Sequence, residues 1–202
     1  MKLIHPIVVV FSVVAALSAG ELDSAARKML LDHLNQSSSE FHDSLKGLTS
    51  EQWNYKPAAD VWSIAECAEH IALTEDLLRD MVANKVLAGT ASPERVAERK
   101  TGDGKVLKMI TDRSFKAKAP EVLQPGRRFA TPAAALQKFQ ESRNKTIALA
   151  KNRDDLREYA TPHPVLKELD AYQWLLYLSG HSMRHTAQIR EVKTNAGFPK
   201  GI

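Results

Sequence analysis

The sequence is poor in cysteine, with Cys67 alone among its 202 residues. One thiol cannot form a disulfide within the chain, even in an oxidising compartment. Stability must therefore come from side-chain packing, with a bound metal ion as a second source.

The chain also lacks a strong excess of either charge. It carries 28 Lys and Arg against 24 Asp and Glu, a net charge of +4 at pH 7, and the two signs are interspersed. The densest basic positions, Arg127-Arg128 and Lys116 with Lys118, lie in a stretch punctuated by proline and glycine. That pattern is typical of a solvated loop rather than of a nucleic-acid surface. We therefore expect no nucleic-acid partner.

Long hydrophobic runs are absent except at the N-terminus, where Ile7 to Leu17 reads IVVVFSVVAAL. The run follows Lys2 and is followed by small residues up to Gly20, which is the three-part order of a secretory signal peptide. It is too short to span a bilayer, which needs roughly 20 apolar residues. A retained anchor or a buried first helix are the alternatives.

We accordingly predict a signal peptide over residues 1–20, cleaved near Ala19 or Gly20, followed by one domain over residues 21–202. The protein would be exported, either periplasmic or secreted. After cleavage we expect no stable membrane insertion.

Apolar residues at three- and four-residue steps predict four main helices in the mature chain. The expected helix starts are Asp23 or Ser24, the capping box Ser63 to Glu66, Thr131-Pro132 and about Leu169, the last helix running to about Asn195. No strand-like alternation stands out, so we expect no sheet. The fold class is therefore all-α, an up-down four-helix bundle.

The second and third main helices are separated by a stretch rich in glycine and proline, residues 90–130. We predict a long irregular crossover there, with Val106 to Ile110 as a short helix within it.

His181 and His185 are the sharpest local feature, because they lie four residues apart on the apolar stripe of the last helix. At that spacing two rings share one face about 6 Å apart, which suits two ligands on one metal ion. Burial favours neutral imidazole, the form that binds metal. The alternative is that each ring hydrogen-bonds to a carbonyl and has no further role.

His70 lies beside the apolar stripe of the second helix, and a facing helix in a bundle can deliver a third ligand to such a pair. Three histidines leave a coordination position open for water or substrate, as reactive sites require. We predict a metal site formed by His70, His181 and His185, with catalytic residues unassigned.

Two segments of the chain resemble signatures of the DinB-like superfamily, the group of DinB- and YfiT-like metalloenzymes. They are residues 62–71 (WSIAECAEHI) and 181–189 (HSMRHTAQI), supported by residues 48–53 (LTSEQW) and His163-Pro164. The resemblance spans about residues 25–195 and implies a four-helix bundle that holds a divalent metal through His70, His181 and His185. Lys167 stands where related sequences often have glycine.

The first interpretation of the function is an exported metal-dependent enzyme, most simply a hydrolase, and the resemblance is consistent with it because proposed metal-dependent hydrolases occur in the superfamily. A metal-dependent thiol S-transferase and a non-catalytic metal- or ligand-binding bundle are the alternatives. We expect a divalent metal ion, with zinc or nickel favoured over iron or manganese, and no further cofactor. We also expect a small-molecule substrate or ligand, and a homodimer is a possible assembly. Cys67 is either a core thiol or a thiolate near the metal, Arg184 either a surface residue or a guide for anions, and Gln188 a candidate to orient a ligand ring.

Overall fold

The computed structural model describes residues 22–114 and 118–200. The predicted signal peptide lies outside the described residues, so its cleavage and export stay predictions. In the described part of the chain the helices are α1 (Ser24–Leu45), α2 (Ser50–Asn54), α3 (Ile64–Met81), α4 (Pro93–Glu98), α5 (Asp103–Thr111), α6 (Pro132–Asn152) and α7 (Ala171–Lys193). The long helices α1, α3, α6 and α7 pack together, which confirms the four-helix bundle.

The four long helices begin where the sequence supplies a side chain that caps the first turn. Asp23, Ser63, Thr131 and Asp170 each accept a hydrogen bond from a backbone N–H three residues later. Such caps satisfy donors that the first turn leaves without a partner inside the helix. The capping box predicted at Ser63 is confirmed, since Glu66 returns a bond to the Ser63 N–H at 2.7 Å.

The order of the helices around the bundle places α1 and α3 on one diagonal and α6 and α7 on the other. The helices α1 and α7 run in the same direction, because Tyr172 bonds to Ala26 near one end and Arg190 pairs with Glu40 towards the other. The helices α3 and α6 run together in the opposite direction. Helix α3 is therefore antiparallel to α1, and α7 is antiparallel to α6. The long crossover between α3 and α6 runs back along the bundle, so that α6 starts at the same end as α3 and is parallel to it.

The crossover contains more regular structure than the irregular segment we expected. The predicted short helix is confirmed and extends over α5, while α4, a π-helical turn at Val82–Val86 and a 3-10 turn at Glu121–Leu123 add to it. Helix α5 is stable there because Val106 and Ile110 are buried against α7. At the contact, a Cβ on Gly180 would lie 2.4 Å from Ile110 Cγ2, so only glycine allows this approach.

The expectation of no sheet is wrong for one short hairpin, in which β1 (Ala160–His163) pairs antiparallel with β2 (Lys167–Asp170). Each strand has only four residues, too few for alternation to be seen in the sequence. The buried His163 closes the turn, since its Nδ1 accepts the N–H groups of Val165 and Leu166, both at 3.1 Å. Lys167 has φ 64°, which explains a preference for glycine at this position.

The core is divided into two apolar halves by a layer of polar side chains. One half contains Leu34 and Leu178, and the other contains Phe41 and Ile71. Between them lie buried polar residues from all four long helices: Ser37, Glu75, Arg143, Thr146 and Ser182. The three candidate histidines lie on the side of this layer that holds Phe41 and Ile71. Within the described residues, no helix combines the length and apolarity that crossing a bilayer requires.

Candidate metal centre

The antiparallel neighbours α3 and α7 bring the three predicted histidines together. His70 comes from the first half of α3, His181 from the middle of α7, and His185 from the turn that follows. The Nε2 atoms of His70 and His181 are 3.1 Å apart. One ring nitrogen from each of the three residues lies within 4.8 Å of the others. The convergence that the sequence predicted is therefore present, and the role of these residues as metal ligands stays a prediction at this point.

Burial keeps the three imidazoles neutral. His70 is 4% exposed and His181 is 9% exposed. Loss of solvation lowers the pKa of His70, and it lowers the pKa of His181 well below the usual value, with the neighbouring His185 and His70 adding to the effect. Burial, followed by the proximity of His70, lowers the pKa of His185 to about 3. The cluster therefore presents lone pairs rather than positive charges near neutral pH.

The outer nitrogens of two rings are held by hydrogen bonds. His70 donates from Nδ1 to the carbonyl oxygen of Leu123 at 2.8 Å, because a carbonyl can only accept. His185 donates from Nδ1 to Oε1 of Gln188 at 2.9 Å, and Arg113 donates to the same oxygen at 3.4 Å. Both rings therefore have their lone pair on Nε2, the atom directed into the cluster. The role suggested for Gln188 agrees with this geometry, whereas nothing in the sequence pointed to Leu123.

The donor set fits a divalent ion that accepts nitrogen ligands. Two nitrogens bound at about 2.1 Å to one tetrahedral ion lie about 3.4 Å apart, close to the 3.1 Å between His70 Nε2 and His181 Nε2. Because the proton of His70 is on Nδ1, His181 donates from Nε2 to His70 Nε2 when no ion intervenes. For His181 to bind an ion through this atom, its proton must move to Nδ1, which changes the tautomer and leaves the charge unchanged.

The sequence profile of the DinB superfamily matches residues 33–189. The chain belongs to the DinB superfamily. It is also 34% identical over 162 residues to the uncharacterized protein YuaE of Bacillus subtilis (strain 168), an alignment that covers 79% of this chain and 94% of YuaE. Membership agrees with the resemblance seen in the two histidine-bearing segments.

Among solved structures, this DinB-superfamily chain is similar to YfiT from Bacillus subtilis, described as a probable metal-dependent hydrolase with an unusual four-helix bundle topology. The TM-score is 0.55 at 14% sequence identity, and the match covers 88% of this chain and 91% of YfiT. At that identity the similarity concerns the fold. It agrees with the four-helix bundle seen in this chain.

An aromatic side chain lies against the histidines of this DinB-superfamily member. The ring of Trp62 is 4.9 Å from that of His70 and 6.0 Å from that of His185, measured between centroids. Trp62 is half-buried and borders the site. Cys67 is fully buried in the apolar half of the bundle, and burial raises the pKa of its thiol. Its protonated state favours the interpretation as a core thiol.

Arg184, His42 and His163 lie around or away from the cluster. Arg184 is half-buried and donates to the carbonyl oxygens of Ile110 and Asp112, so it anchors the C-terminal end of α5 to α7. His42 is exposed on α1 next to Asp43. Neither His42 nor the hairpin residue His163 belongs to the three-histidine group.

Proposed function

We propose that this chain is a divalent-metal-dependent hydrolase in which His70, His181 and His185 hold the metal ion. The observation that carries the proposal is the convergence of three neutral imidazoles from two facing helices, two of them buried and that of His185 half-buried, with two nitrogens 3.1 Å apart. The description of YfiT as a probable metal-dependent hydrolase supports it. Imidazole nitrogens favour zinc or nickel in our proposal, with iron or manganese as alternatives.

The ion, when bound, supplies a Lewis acid that polarises a carbonyl or phosphoryl group and acidifies water. The chain itself supplies orientation and exclusion of bulk solvent. Leu123 and Gln188 keep the Nδ1 protons of His70 and His185 turned outward, so that both Nε2 lone pairs face the cluster. The ring of Trp62 lies against the rings of His70 and His185, which limits the approach of water to them.

Nearby carboxylates have other partners, so we assign none of them as a general base. Glu66 completes the cap of α3 and binds Lys56 at 2.9 Å. Glu69 binds backbone groups of the crossover. Among the described residues, no carboxylate joins the three histidines in the candidate metal group. Proton transfer would therefore depend on the substrate or on water.

The first experiment measures metal binding by the purified mature chain after treatment with a chelator. Equilibrium dialysis against Zn²⁺ or Ni²⁺ with elemental analysis should give one ion per chain. Replacement of His185 by alanine removes one of three ligands and should weaken binding by about 100-fold or more. The matched control is His42→Ala, because His42 is exposed and outside the cluster. Equal affinity in the two variants would refute the metal site.

The second experiment screens the metal-loaded protein against carboxylic esters, amides and phosphate esters, with and without a small thiol. Hydrolysis that requires the metal and is lost in His185→Ala supports the proposal. Turnover that occurs only with the thiol, which then appears in the product, would replace it with the thiol S-transferase. Tight metal binding without turnover in either condition would favour a non-catalytic bundle.

We also propose that the chain acts outside the cytoplasm after loss of its first roughly 20 residues. Intact mass of the protein recovered from an exporting host tests this proposal. A product that still begins at Met1 would contradict it and would raise the rank of the thiol-dependent reaction, because small thiols belong mainly to reducing compartments.

A further inference from the structure

The side chain next to His70 in sequence is a buried carboxylate that binds the crossover. Glu69 has a side chain that is 3% exposed. Its Oε1 accepts the N–H of Gly126 at 2.7 Å, and its Oε2 accepts the N–H of Arg128 at 3.0 Å. The guanidinium of Arg128 donates to the same carboxylate and, at 3.1 Å, to the carbonyl oxygen of Gln124. The carboxylate thus organises the backbone of residues 124–128.

The segment that Glu69 binds also carries the hydrogen-bond acceptor of His70. Leu123 ends a 3-10 turn, is buried, and accepts the Nδ1 proton of His70 through its carbonyl oxygen at 2.8 Å. Only two residues separate Leu123 from Gly126. Two consecutive residues of α3 therefore hold the two ends of one short segment, residues 123–128.

We propose that Glu69 is a positioning residue for the metal centre: it holds residues 123–128 so that the Leu123 carbonyl fixes the tautomer and orientation of His70. A neutral imidazole without such an acceptor divides between two tautomers and can rotate about its side-chain bonds. Partners of this kind are worth about 10- to 100-fold in metal affinity. The part of this inference that concerns metal rests on the proposed function, whereas the part that concerns the His70 proton does not.

The chemistry of the contact argues for positioning rather than for packing alone. A buried carboxylate is unfavourable unless hydrogen bonds compensate it, and an apolar side chain would fill the same space without that requirement. Two backbone N–H groups can be held in place only by an acceptor that is itself anchored, and Glu69 is anchored on the same helix as His70. The carboxylate therefore fixes the Leu123 carbonyl relative to α3, the helix that carries His70.

The test compares Glu69→Gln with Glu66→Gln in the full mature chain. Both variants remove one negative charge from the beginning of α3, and glutamine preserves the capping box at position 66. The first readout uses the metal-free protein: nitrogen-detected proton spectra of the imidazoles report which nitrogen of His70 carries the proton and how fast that proton exchanges with water. The second readout is affinity for Zn²⁺, and the third is the absorption spectrum with Co²⁺, which responds to the number of nitrogen ligands.

We expect Glu66→Gln to behave as the unmodified protein. In Glu69→Gln the His70 proton should exchange faster and populate both nitrogens, Zn²⁺ affinity should fall about 10- to 100-fold, and the Co²⁺ spectrum should change in intensity. If Glu69→Gln does not fold, Arg128→Met serves in its place, because it removes one donor and keeps both backbone donors. That variant should lose less affinity than expected for Glu69→Gln and should still accelerate exchange of the His70 proton.

The inference is overturned if the His70 proton stays on Nδ1 with unchanged exchange in Glu69→Gln, or in Arg128→Met where that variant serves. It is also overturned if Glu66→Gln loses as much affinity as Glu69→Gln, since the cause would then be the charge alone. If the unmodified chain binds no metal ion, the proposed function fails, and the proton measurement in the metal-free protein still decides the role of Glu69.

Discussion

Replacing Arg143 by methionine should strongly destabilise the bundle, because its guanidinium joins all four long helices. The side chains of Arg143 and Glu75 are both 0% exposed, and they form two hydrogen bonds of 2.9 and 2.7 Å with each other. The same guanidinium donates to the Leu34 carbonyl and the Ser37 hydroxyl on α1, and to the Ser182 hydroxyl on α7. Every helix of the bundle is thus connected through one buried charge.

The magnitude follows from what the substitution leaves behind. In Arg143→Met, the buried carboxylate of Glu75 loses both hydrogen bonds from the guanidinium and keeps the one from Thr146, at 2.9 Å. Removing one member of a buried ion pair costs about 3–5 kcal/mol. Domains are stable by only about 5–15 kcal/mol, so the loss would be at least about a fifth of the free energy of unfolding. With a urea slope of about 2 kcal/mol per molar, the unfolding midpoint should fall by about 1.5–2.5 M.

Urea unfolding followed by circular dichroism at 222 nm measures the effect. The double variant Arg143→Met/Glu75→Leu should be more stable than Arg143→Met alone, since it no longer buries an unpaired charge. Arg190→Met is the matched control, because Arg190 pairs with Glu40 at the surface, where such a pair contributes less than about 1 kcal/mol. The reasoning is refuted if Arg143→Met and Arg190→Met cost the same, or if adding Glu75→Leu lowers stability further.

Three further predictions follow from the same structure. The pKa of His185 is lowered to about 3 in the folded protein, so as pH falls the unfolded state binds a proton that the folded state does not. The metal-free protein should therefore lose about 2 kcal/mol of stability through this residue between pH 6.5 and 5. Urea unfolding at both pH values should show a smaller loss in His185→Asn, and an equal loss would contradict the prediction. Gly180→Ala should cost about 1–3 kcal/mol by the same assay, since the new Cβ would meet Ile110 at 2.4 Å, and an unchanged midpoint would disprove the close contact. Cys67 should react with a thiol reagent only after unfolding, because it is buried and burial raises the pKa of its thiol. Mass spectrometry after treatment of the native protein measures the reaction, and modification without denaturant would contradict the burial of Cys67.

The parts of the structure that the sequence predicted correctly depend on residues close together in the chain. The start of α3 follows from Ser63 and Glu66, three positions apart, and the placement of His181 and His185 on one face follows from helical periodicity. The short helix at Val106 to Ile110 and the restart at Thr131 are of the same kind. Each is decided within one or two helical turns, where the geometry of the backbone is known in advance.

The sequence did not indicate the residues whose partners are distant in the chain. Glu69 follows no motif in the sequence, yet it binds the backbone of Gly126 and Arg128 in the crossover. Glu75 was not noticed, although its partner Arg143 is 68 positions away and fully buried with it. The hairpin at Ala160–Asp170 was missed because its strands are short and pair only with each other.

The sequence alone determined that this protein is a helical bundle with histidines on two core-facing helices, because amphipathic periodicity and helix caps are local properties. Its resemblance to the DinB superfamily came separately, from residues 62–71 and 181–189. The tertiary structure decided which nitrogens face the cluster and which backbone carbonyl holds His70. It also decided the direction in which α6 runs and the burial that keeps the imidazoles neutral. These features depend on contacts between residues 53 to 111 positions apart, which local patterns of the sequence do not describe.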